Sequence, residues 1–416
     1  MPDTPRNTTP ADTQRDTRPL AQRAVETFCG IVLLALLVMP AALSPWGSSG
    51  AKEFVFRTER RPATDWPEIH RGRDVLDNAF WTQAAGALCD RVAFRGAYIE
   101  AKNVIDQRIF GRYNFGRVDV GLDGWLYFRP SFGERLESPS AVDAAVDAFE
   151  AFRASPARGP ARLVFVLAPD KHTIHPEHLR GASRVEIARW ADARERLHTR
   201  IAGIEGPEVI DAWSLYRAER ASLGRDVYFP LDTHHNRLAH RAMIRAMLER
   251  VAPGTYDPAD FHQIETVRRA GDLVGLSGLP IDPIEVPALQ LRRQSDPPER
   301  SPARDPMFGV ITQHLASPET GRVVPGRTLI VHDSFGQQMR WLFGSYFEDA
   351  TMVREAAVTA DELLAATHAY DTVIIELVER HASERMPRLF DEHWVRGEQR
   401  EPDGLDAGPD ETGLED

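Results

Sequence analysis

The sequence is poor in cysteine and in net positive charge, and each shortage excludes a class of protein. Cys29 and Cys89 are the only two cysteines among 416 residues, so a disulfide framework is excluded and the fold must be held together by packing. Lysine and arginine number 50 against 62 acidic residues, which gives a formal charge of -12. This balance argues against a nucleic acid phosphate backbone as the main partner.

Long apolar runs are also scarce, since one stands out: FCGIVLLALLVMPAAL, residues 28–43, which carries no charge. It exceeds a usual signal-peptide core and falls slightly short of a comfortable membrane span, so an uncleaved signal anchor, which we favour, and a cleaved signal peptide remain open. A buried helix of the globular domain fits less well, because polar sequence flanks the run. We expect the chain beyond about residue 50 to lie on the periplasmic or extracytoplasmic face, anchored to the cytoplasmic membrane by this helix.

Composition divides the chain into segments. The predicted segments are a cytoplasmic polar N-terminus, a signal anchor or signal peptide, a linker, one domain and a disordered acidic tail, at residues 1–27, 28–45, 46–69, 70–395 and 396–416. Within the domain, residues 252–327 are rich in proline, arginine and aspartate and predict a long excursion or flap.

Apolar runs alternate with helical patterns along the domain and predict an α/β fold. The predicted strands lie in ARLVFVLAPDK, PEVIDAW, RTLIVHDSF and YDTVIIELVER, and the predicted helices in SAVDAAVDAFEAFRA and VEIARWADARERLHTRIAGI. Because the strand runs are short, apolar and β-branched, they indicate strands buried on both faces of a parallel sheet. Ligands of such sheets gather at the carboxyl ends of the strands, so we searched the loops that follow them.

One such loop carries a serine with the neighbours that acyl-transfer chemistry needs. Ser334 directly follows the strand TLIV and precedes a helix, which would aim its hydroxyl into the cleft beside backbone N–H groups. His234 would serve as its base, and Asp232 would orient the histidine. Each element alone is weak, because Asp-Ser after a strand is more often a helix N-cap. The combination predicts a nucleophilic serine site.

Five motifs in order resemble the alginate O-acetyltransferase family related to AlgX and AlgJ. They are GLDGWLYF, PDKHTIHPEHL, DTHHN, HDSF and VIIELVER, and the resemblance covers roughly residues 70–390. It implies a three-layer, flavodoxin-like SGNH-hydrolase-like domain with a parallel sheet, preceded here by the N-terminal signal-anchor helix. By the same resemblance Ser334 is the nucleophile, His234 the base and Asp232 its orienting acid.

Three positions depart from the family pattern. His235 stands where tryptophan is usual, His332 where glycine commonly precedes the Asp-Ser pair, and Ala239 where glycine often follows the histidine motif. These changes affect the shape of the site wall and the oxyanion loop. Because the aspartate, histidine and serine are present together, we expect an active enzyme.

The resemblance implies O-acetylation of an exported or cell-surface, alginate-like polysaccharide through an acetyl-serine intermediate. We expect Lys171, His235 and Asp333 to contact the substrate. The acetyl donor would be a membrane-bound acyltransferase partner, and no coenzyme or metal is implied. If His234 activates water instead of a sugar hydroxyl, the same site is a carbohydrate acetyl esterase.

Two further alternatives stay open. A metal enzyme would use His172, His175 and His178 with His234 and His235, although their spacing around Pro176 suits no single helix face. A non-catalytic polysaccharide-binding component of a secretion complex would instead display a sugar platform of aromatic residues, whose simpler interpretation is core packing. Its members would be Trp125, Tyr127, Trp190 and Trp213. Glu379 and Arg380 fit either the family motif or a weak surface ion pair.

Overall fold

A computed structural model describes residues 62–92, 95–133, 138–292, 300–317 and 322–390, together with residues 31 and 55. The described residues fall into two compact units, which divide between residues 99 and 100. The predicted signal segment, apart from residue 31, and the predicted tail lie outside the described residues. None of the described helices has the length and apolar content that a membrane crossing requires.

The first unit contains the helix α1 (Asn78–Arg91) and the start of α2 (Arg95–Arg108). Asp77 caps α1 by accepting a hydrogen bond from the Ala79 N–H at 2.9 Å. The Thr64 N–H donates to Asp90 at 2.8 Å, which holds the preceding segment against the end of this helix.

The second unit carries the remaining elements. Its helices are α3 (Pro139–Ala154), α4 (Lys171–Ile174), α5 (Gly181–Ala188), α6 (Ala191–Ala202), α7 (Ala212–Leu223), α8 (Arg237–Val251), α9 (Asp272–Ser277), α10 (Ser334–Gln337), α11 (Arg340–Tyr346), α12 (Ala360–Ala369) and α13 (Ala382–Phe390). Its strands are β1 (Asn114–Phe115), β2 (Val118–Val120), β3 (Leu126–Phe128), β4 (Arg162–Ala168), β5 (Val209–Ile210), β6 (Phe261–Arg269), β7 (Ile284–Leu291), β8 (Arg300–Arg304), β9 (Ile311–Leu315), β10 (Val324–His332), β11 (Phe347–Arg354) and β12 (Thr372–Val378).

The central sheet has seven strands in the order β5-β4-β12-β10-β11-β9-β8. The first five strands pair in parallel, as predicted, whereas β9 pairs antiparallel with β11 and β8 antiparallel with β9. The prediction of an α/β fold with a parallel sheet is thus confirmed in its coarse form, and the sheet is mixed at one edge. The two antiparallel strands come from the predicted excursion, and the short connection between β8 and β9 suits antiparallel pairing of these two.

The predicted apolar runs became strands because both faces of the sheet are covered. Every residue of β12 is buried, and so is every residue of β4 after its first. Helices α3, α6 and α13 pack together, and α7 and α8 pack together and against β4. Strands covered on both faces need continuous rather than alternating apolar residues, which is why these runs could be recognised.

The structure differs from the predicted elements at two places, one helix and one strand. The helix predicted over VEIARWADARERLHTRIAGI is two helices, α5 and α6, because the backbone leaves the helical region at Trp190 with φ -111 and ψ 11. Strand β11 was not predicted, because FEDATMVR mixes acidic, basic and apolar residues. This segment forms a strand because it pairs with β10, although its sequence has no clear strand pattern.

The described residues of the predicted excursion, 252–327, include strands and a short helix. Strands β6 and β7 pair as an antiparallel ribbon, with α9 between them. A small apolar cluster packs α9 against Leu231 and the three-stranded sheet β1-β2-β3, through Leu273, Leu276 and Leu279. The excursion therefore packs directly on the loop that carries Asp232 and His234.

Register brings the loops of the sheet together at one edge. Val378 of β12 lies opposite Ala168 of β4, so residues 169–171 and 379–380 leave the sheet side by side. Strand β10 lies between β12 and β11 in the sheet. Ser334, which follows β10, is therefore beside these two loops. The predicted gathering of functional loops at the carboxyl ends of the strands follows from this order.

Candidate active site

His234 and Asp232 form a hydrogen-bonded pair in the loop before α8. Asp232 Oδ1 accepts from His234 Nδ1 at 2.8 Å and from the His234 backbone N–H at 3.0 Å. This contact fixes the proton on Nδ1 and leaves Nε2 as the acceptor of the ring. The Nε2 atom is buried and has no hydrogen-bond partner among the described residues. The Nε2 atoms of His172, His235 and His240 are in the same state, but their Nδ1 atoms contact neutral groups. The carboxylate on Nδ1 sets His234 apart and suits it to the role of a base.

Electrostatics make His234 more basic and Asp232 more acidic than usual. Burial lowers the pKa of His234, but the hydrogen bond and charge of Asp232, with the charge of Asp272, outweigh burial, so this pKa lies above the ordinary histidine value. Burial raises the pKa of Asp232, yet the hydrogen bond and charge of His234 and the charge of Arg269 hold it well below its usual range. The pair is therefore built to stabilise an imidazolium beside a carboxylate.

Lys171 supports this loop from beneath. The side chain is buried, and its Nζ donates to three backbone carbonyl oxygens, those of Leu126, Phe229 and Pro230, at 2.6, 2.9 and 3.0 Å. Burial lowers the pKa of Lys171 to about 7, against the opposing charges of Asp232 and Asp272. All the donor capacity of an ammonium group is used inside the protein. The expectation that Lys171 contacts substrate therefore gives way to a role in positioning the Asp232 loop.

Ser334 is the first residue of α10, where the strand β10 turns into a helix, as predicted. Its hydroxyl has no hydrogen-bond partner among the described residues, and its backbone N–H likewise has none. By contrast, the Phe335 N–H donates to Asp333 at 2.7 Å and the Gly336 N–H to Glu376 at 2.8 Å. The Ser334 N–H is thus the one donor of this turn that remains for a developing oxyanion.

The serine turn is held rigidly from below. Gly336 is required at its position, because an added Cβ would lie 2.6 Å from both Glu376 Oε2 and His332 Cβ. Burial, and then the charge of Asp333, raises the pKa of Glu376 well above its usual value. His332, which replaces the common glycine, is buried and contacts the Asp333 carbonyl oxygen through Nδ1 at 2.7 Å. The substitution is therefore accommodated inside the turn.

Asp333 and His235 were expected to contact substrate, but both are buried. Asp333 caps α10 through Oδ1 and accepts from the Val378 N–H through Oδ2 at 2.7 Å, which ties the serine turn to the end of β12. His235 has no exposed surface and bonds through Nδ1 to the Tyr216 hydroxyl. With these inward partners neither side chain reaches a polymer, so each is assigned to holding the site walls.

The two halves of the predicted catalytic set meet through Phe335. Its ring centroid lies 5.0 Å from that of His234, and Phe335 directly follows Ser334 in the chain. The Arg380 guanidinium also contacts this ring and lies 5.2 Å from the Phe335 centroid. The residue next to Ser334 thus contacts the ring of His234.

Two residues of the site were missed because they lie in the excursion. Arg269 at the end of β6 donates from Nη2 to Asp232 Oδ2 at 2.9 Å. Asp272 at the start of α9 accepts from the Thr233 N–H at 2.7 Å, and its Oδ2 lies 3.9 Å from His234 Nδ1. No local pattern marks these residues, since an arginine and an aspartate in a polar segment are ordinary surface chemistry.

Glu379 and Arg380 are not a surface ion pair. Both are buried, and Arg380 pairs with Asp170, the residue before Lys171. Glu379 accepts from the Asp170 N–H at 2.9 Å, from Trp213 Nε1 at 3.1 Å and from His198 Nε2 at 3.2 Å. The alternative of a weak exposed pair is wrong, because these two residues cross-link the loops after β4 and β12.

The histidines of the two loops do not converge on one metal position in the described part of the chain. His172 contacts Ser131 at 3.3 Å, whereas His175 and His178 both approach Glu177, at 3.2 and 3.5 Å. Potential ligand atoms form two separate groups, and neither combines histidines from both loops. The five-histidine arrangement weighed from the sequence is therefore not assembled.

The predicted sugar platform is mostly core. Trp125, Tyr127 and Trp213 are buried, and only Trp190 of the four is partly exposed. Tyr127 donates its hydroxyl to the His175 carbonyl at 2.6 Å, which is an interior contact. Core packing is therefore the correct interpretation of these three aromatic residues.

Residues 118–314 match the sequence family described as ALGX, the SGNH hydrolase-like domain of the acetyltransferase AlgX. The match includes Lys171, Asp232, His234 and Asp272 and ends before Ser334. It confirms the resemblance predicted from the motifs, and with it the prediction of an SGNH-like O-acetyltransferase. No curated protein sequence matches this chain.

Solved structures with a similar arrangement are distant in sequence. The O-acetyltransferase domain of Pseudomonas putida AlgJ is 16% identical, with 67% of this chain and 97% of that chain covered and a TM-score of 0.38. Bacillus cereus PatB1 with a sulfonyl adduct is 12% identical, with 65% and 98% covered and a TM-score of 0.46. A DHHW family protein from Eubacterium siraeum is 11% identical, with 60% and 88% covered and a TM-score of 0.41.

Proposed function

We propose that this O-acetyltransferase acetylates hydroxyl groups of an exported or cell-surface, alginate-like polysaccharide through an acetyl-serine intermediate on Ser334. The observation that carries the proposal is the His234 ring, whose Nδ1 is bound to Asp232 while the buried Nε2 has no partner. A histidine oriented in this way can act as a general base, with Nε2 accepting the proton.

In the first half-reaction Ser334 Oγ attacks the carbonyl carbon of an acetyl ester. His234 Nε2 accepts the hydroxyl proton as the new C–O bond forms, and the imidazolium is stabilised by Asp232. The negative charge on the carbonyl oxygen is met by the Ser334 backbone N–H. The tetrahedral intermediate then expels the donor's alkoxide, which takes the proton from His234 and leaves acetyl-Ser334.

In the second half-reaction a sugar hydroxyl gives its proton to His234 and attacks the acetyl group. Collapse of the second intermediate breaks the bond to Ser334 Oγ, which recovers the proton. If water takes the place of the sugar, the same residues hydrolyse the ester, so a carbohydrate acetyl esterase is the second candidate. The acetyltransferase family match favours transfer.

The proposal includes a location and an acetyl donor. The apolar run at residues 28–43 would hold the domain at the extracytoplasmic face of the cytoplasmic membrane, with the active site outside the cell interior. A membrane-bound acyltransferase would then deliver acetyl groups across the bilayer to Ser334. A test is to co-express the chain with such a partner and to ask whether the acetyl adduct depends on it.

The central experiment incubates the full chain with an activated acetyl ester and reads the product by intact mass and peptide mapping. The parent protein should gain one acetyl group on Ser334, and Ser334→Ala and His234→Gln should gain none. His235→Gln is the matched control, because this neighbouring histidine faces Tyr216 and the adduct should still form in a folded variant.

Polysaccharides added to the acetylated protein then separate the two candidates. Transfer of the acetyl group to an alginate-like polymer supports the proposal, and release as acetate with every polymer supports the esterase. A folded parent protein that forms no adduct and turns over no ester contradicts both, and leaves the polysaccharide-binding component as the remaining function.

A further inference from the structure

The excursion closes over the back of the catalytic loop and contributes charge to it. Gly271 lies so close to the loop that a Cβ added there would come within 1.8 Å of the Leu231 carbonyl oxygen. The next residue, Asp272, accepts from the Thr233 N–H at 2.7 Å. Backbone contact and side-chain contact therefore fix α9 against the two residues that precede His234.

The charges around His234 come from four other elements. Asp232 belongs to its own loop, Asp272 to α9, Arg269 to β6, Lys171 to α4, and Arg380 follows β12, while the neutral ring of His235 lies next in the chain. Among the described residues two carboxylates approach His234 Nδ1, Asp232 at 2.8 Å and Asp272 at 3.9 Å. Arg269 is bound to Asp232 Oδ2, and in the described part of the chain no arginine or lysine forms an ion pair with Asp272.

We propose that Asp272 is a second carboxylate partner of the catalytic histidine, a positioning residue that orients the His234 loop and stabilises the imidazolium formed when His234 accepts the Ser334 proton. Lys171 and Arg380 bond elsewhere, to backbone carbonyls and to Asp170. The group formed by Asp232, Asp272, Arg269 and His234 carries one net negative charge when the first three are charged and His234 is neutral. Proton transfer from Ser334 to Nε2 makes the group neutral. Proton transfer therefore neutralises a net negative charge that water screens only weakly, since 21% of the Asp272 side chain is exposed.

Arg269 gives this arrangement its selectivity. Its guanidinium lies 4.4 Å from the Phe229 ring centroid and bonds to the oxygen of Asp232 that faces away from His234. A metal cation at the same carboxylates would meet this guanidinium, so the group is suited to a proton on His234 rather than to a bound ion. Arg269 therefore acts on the Asp232 carboxylate, whereas Asp272 approaches the histidine itself.

The inference rests on the proposed function for its catalytic meaning, but its test does not depend on turnover. The imidazole pKa of His234 is measured by NMR on the full chain in detergent with labelled histidine, the signal being assigned by its loss in His234→Gln. Asp272→Asn keeps the size and the acceptor for Thr233 and removes the charge. It should lower the pKa of His234 by about one pH unit, the effect of an opposite charge at this separation.

Two further variants define the cause. Asp272→Glu, which restores the charge, should restore the pKa of His234 towards the parent value. Asp282→Asn removes an exposed carboxylate from the same excursion and should leave it unchanged. Asp272→Ser, which also accepts a hydrogen bond without a charge, replaces the asparagine variant if that variant does not fold.

Activity is read in parallel with the acetyl ester. In the Asp272→Asn variant kcat/KM should fall about tenfold and the acid limb of its pH profile should move to lower pH with the pKa of His234. An unchanged pKa of His234, or equal shifts in Asp272→Asn and Asp272→Glu, overturns the inference. A parent protein without ester turnover but with the expected pKa change contradicts the proposed function and leaves the assigned contact standing.

Discussion

Two regions of this molecule contain the same types of ionisable group, but the pKa of the histidine is lowered in one and raised in the other. Each places one histidine beside two carboxylates and one arginine. The His175 cluster is His175, Glu177, Asp226 and Arg220, and the His234 cluster is His234, Asp232, Asp272 and Arg269. Composition therefore does not distinguish an interior histidine from a catalytic one.

Exposure of the carboxylates distinguishes them. In the His175 cluster Glu177 and Asp226 are 40% and 47% exposed, and burial with the charge of Arg220 lowers the pKa of His175 to about 3. In the His234 cluster the side chain of Asp232 is only 4% exposed, and the pKa of His234 is raised. A carboxylate raises the pKa of a buried histidine when water does not screen it.

Access to the second ring nitrogen is the other difference. His175 Nε2 accepts a hydrogen bond from the Val227 N–H at 3.4 Å, so both nitrogens of that ring are engaged. His234 Nε2 has no partner among the described residues. A histidine becomes a base only where one nitrogen is held and the other is left for the reactant.

The largest expected effect is loss of catalysis at only one of the two histidines. His234→Gln should lower the rate of Ser334 acetylation roughly a thousandfold, because no other group removes the serine proton. His175→Gln should leave that rate within a few-fold of the parent in folded protein. Burst-phase acetylation measured by mass spectrometry checks both, and comparable losses in the two variants would erase the distinction between the clusters.

Lys171 joins the two regions, and its removal should have the next largest effect. Lys171→Met leaves three carbonyl oxygens without their donor and should reduce the free energy of unfolding by roughly 3 kcal/mol. Urea unfolding measures the loss. Lys102→Met is the matched control, since Lys102 is 67% exposed and pairs only with Asp106 on its own helix. A change of less than about 1 kcal/mol at Lys171 would remove its assigned positioning role.

The two arginines should differ by less, in the direction set by the exposure of their partners. Arg269→Ala leaves Asp232 buried with one oxygen unpaired and should cost about 2 kcal/mol of unfolding free energy. Arg220→Ala breaks contacts to half-exposed carboxylates and should cost under about 1 kcal/mol. Measurements at low and high salt sharpen the contrast, because only the Arg220 pair is screened appreciably. Equal costs would contradict the argument from exposure.

The smallest effect is the pH dependence of stability, for which the two histidines have opposite signs. With a pKa of about 3 when folded and about 6.5 when unfolded, His175 contributes stability above pH 6.5 that is lost as pH falls, about 1 kcal/mol by pH 5.5. His234, whose pKa is raised, contributes stability below pH 6.5 that is lost as pH rises. Between pH 7.5 and 5.5, His175→Gln should reduce the loss of unfolding free energy and His234→Gln should increase it.

Much of the fold was predictable, because the central strands have recognisable local sequence patterns. Strands β4 and β12 and the second half of β10 are mostly apolar runs, and helix α3 follows the N-cap Ser138 with Pro139 at its first position. Strand β11 was missed because its mixed sequence takes its cover from neighbours. The break at Trp190 was missed because the helical period continues on both sides of it.

The site was predictable only where its residues are close in sequence. Asp232 and His234 are two positions apart, and a strand directly precedes Ser334, so local spacing pointed to all three. Lys171, His235 and Asp333 were predicted to contact substrate, and all three are buried with partners inside the protein. Their burial could not be predicted, because it depends on which elements pack around each side chain. Polar residues at strand ends look alike whether they face a substrate or a carbonyl oxygen.

By itself the sequence determined four parallel strands and the loops that follow them, and it predicted the residue types of a serine acyl-transfer site. Only the tertiary structure decided which histidine is basic and which additional groups surround it. Arg269 reaches Asp232 across a separation of 37 positions in the chain, and Asp272 approaches His234 from the same distant segment. Charge interactions depend on distance in space and on exclusion of water, and neither is a property of a local sequence pattern.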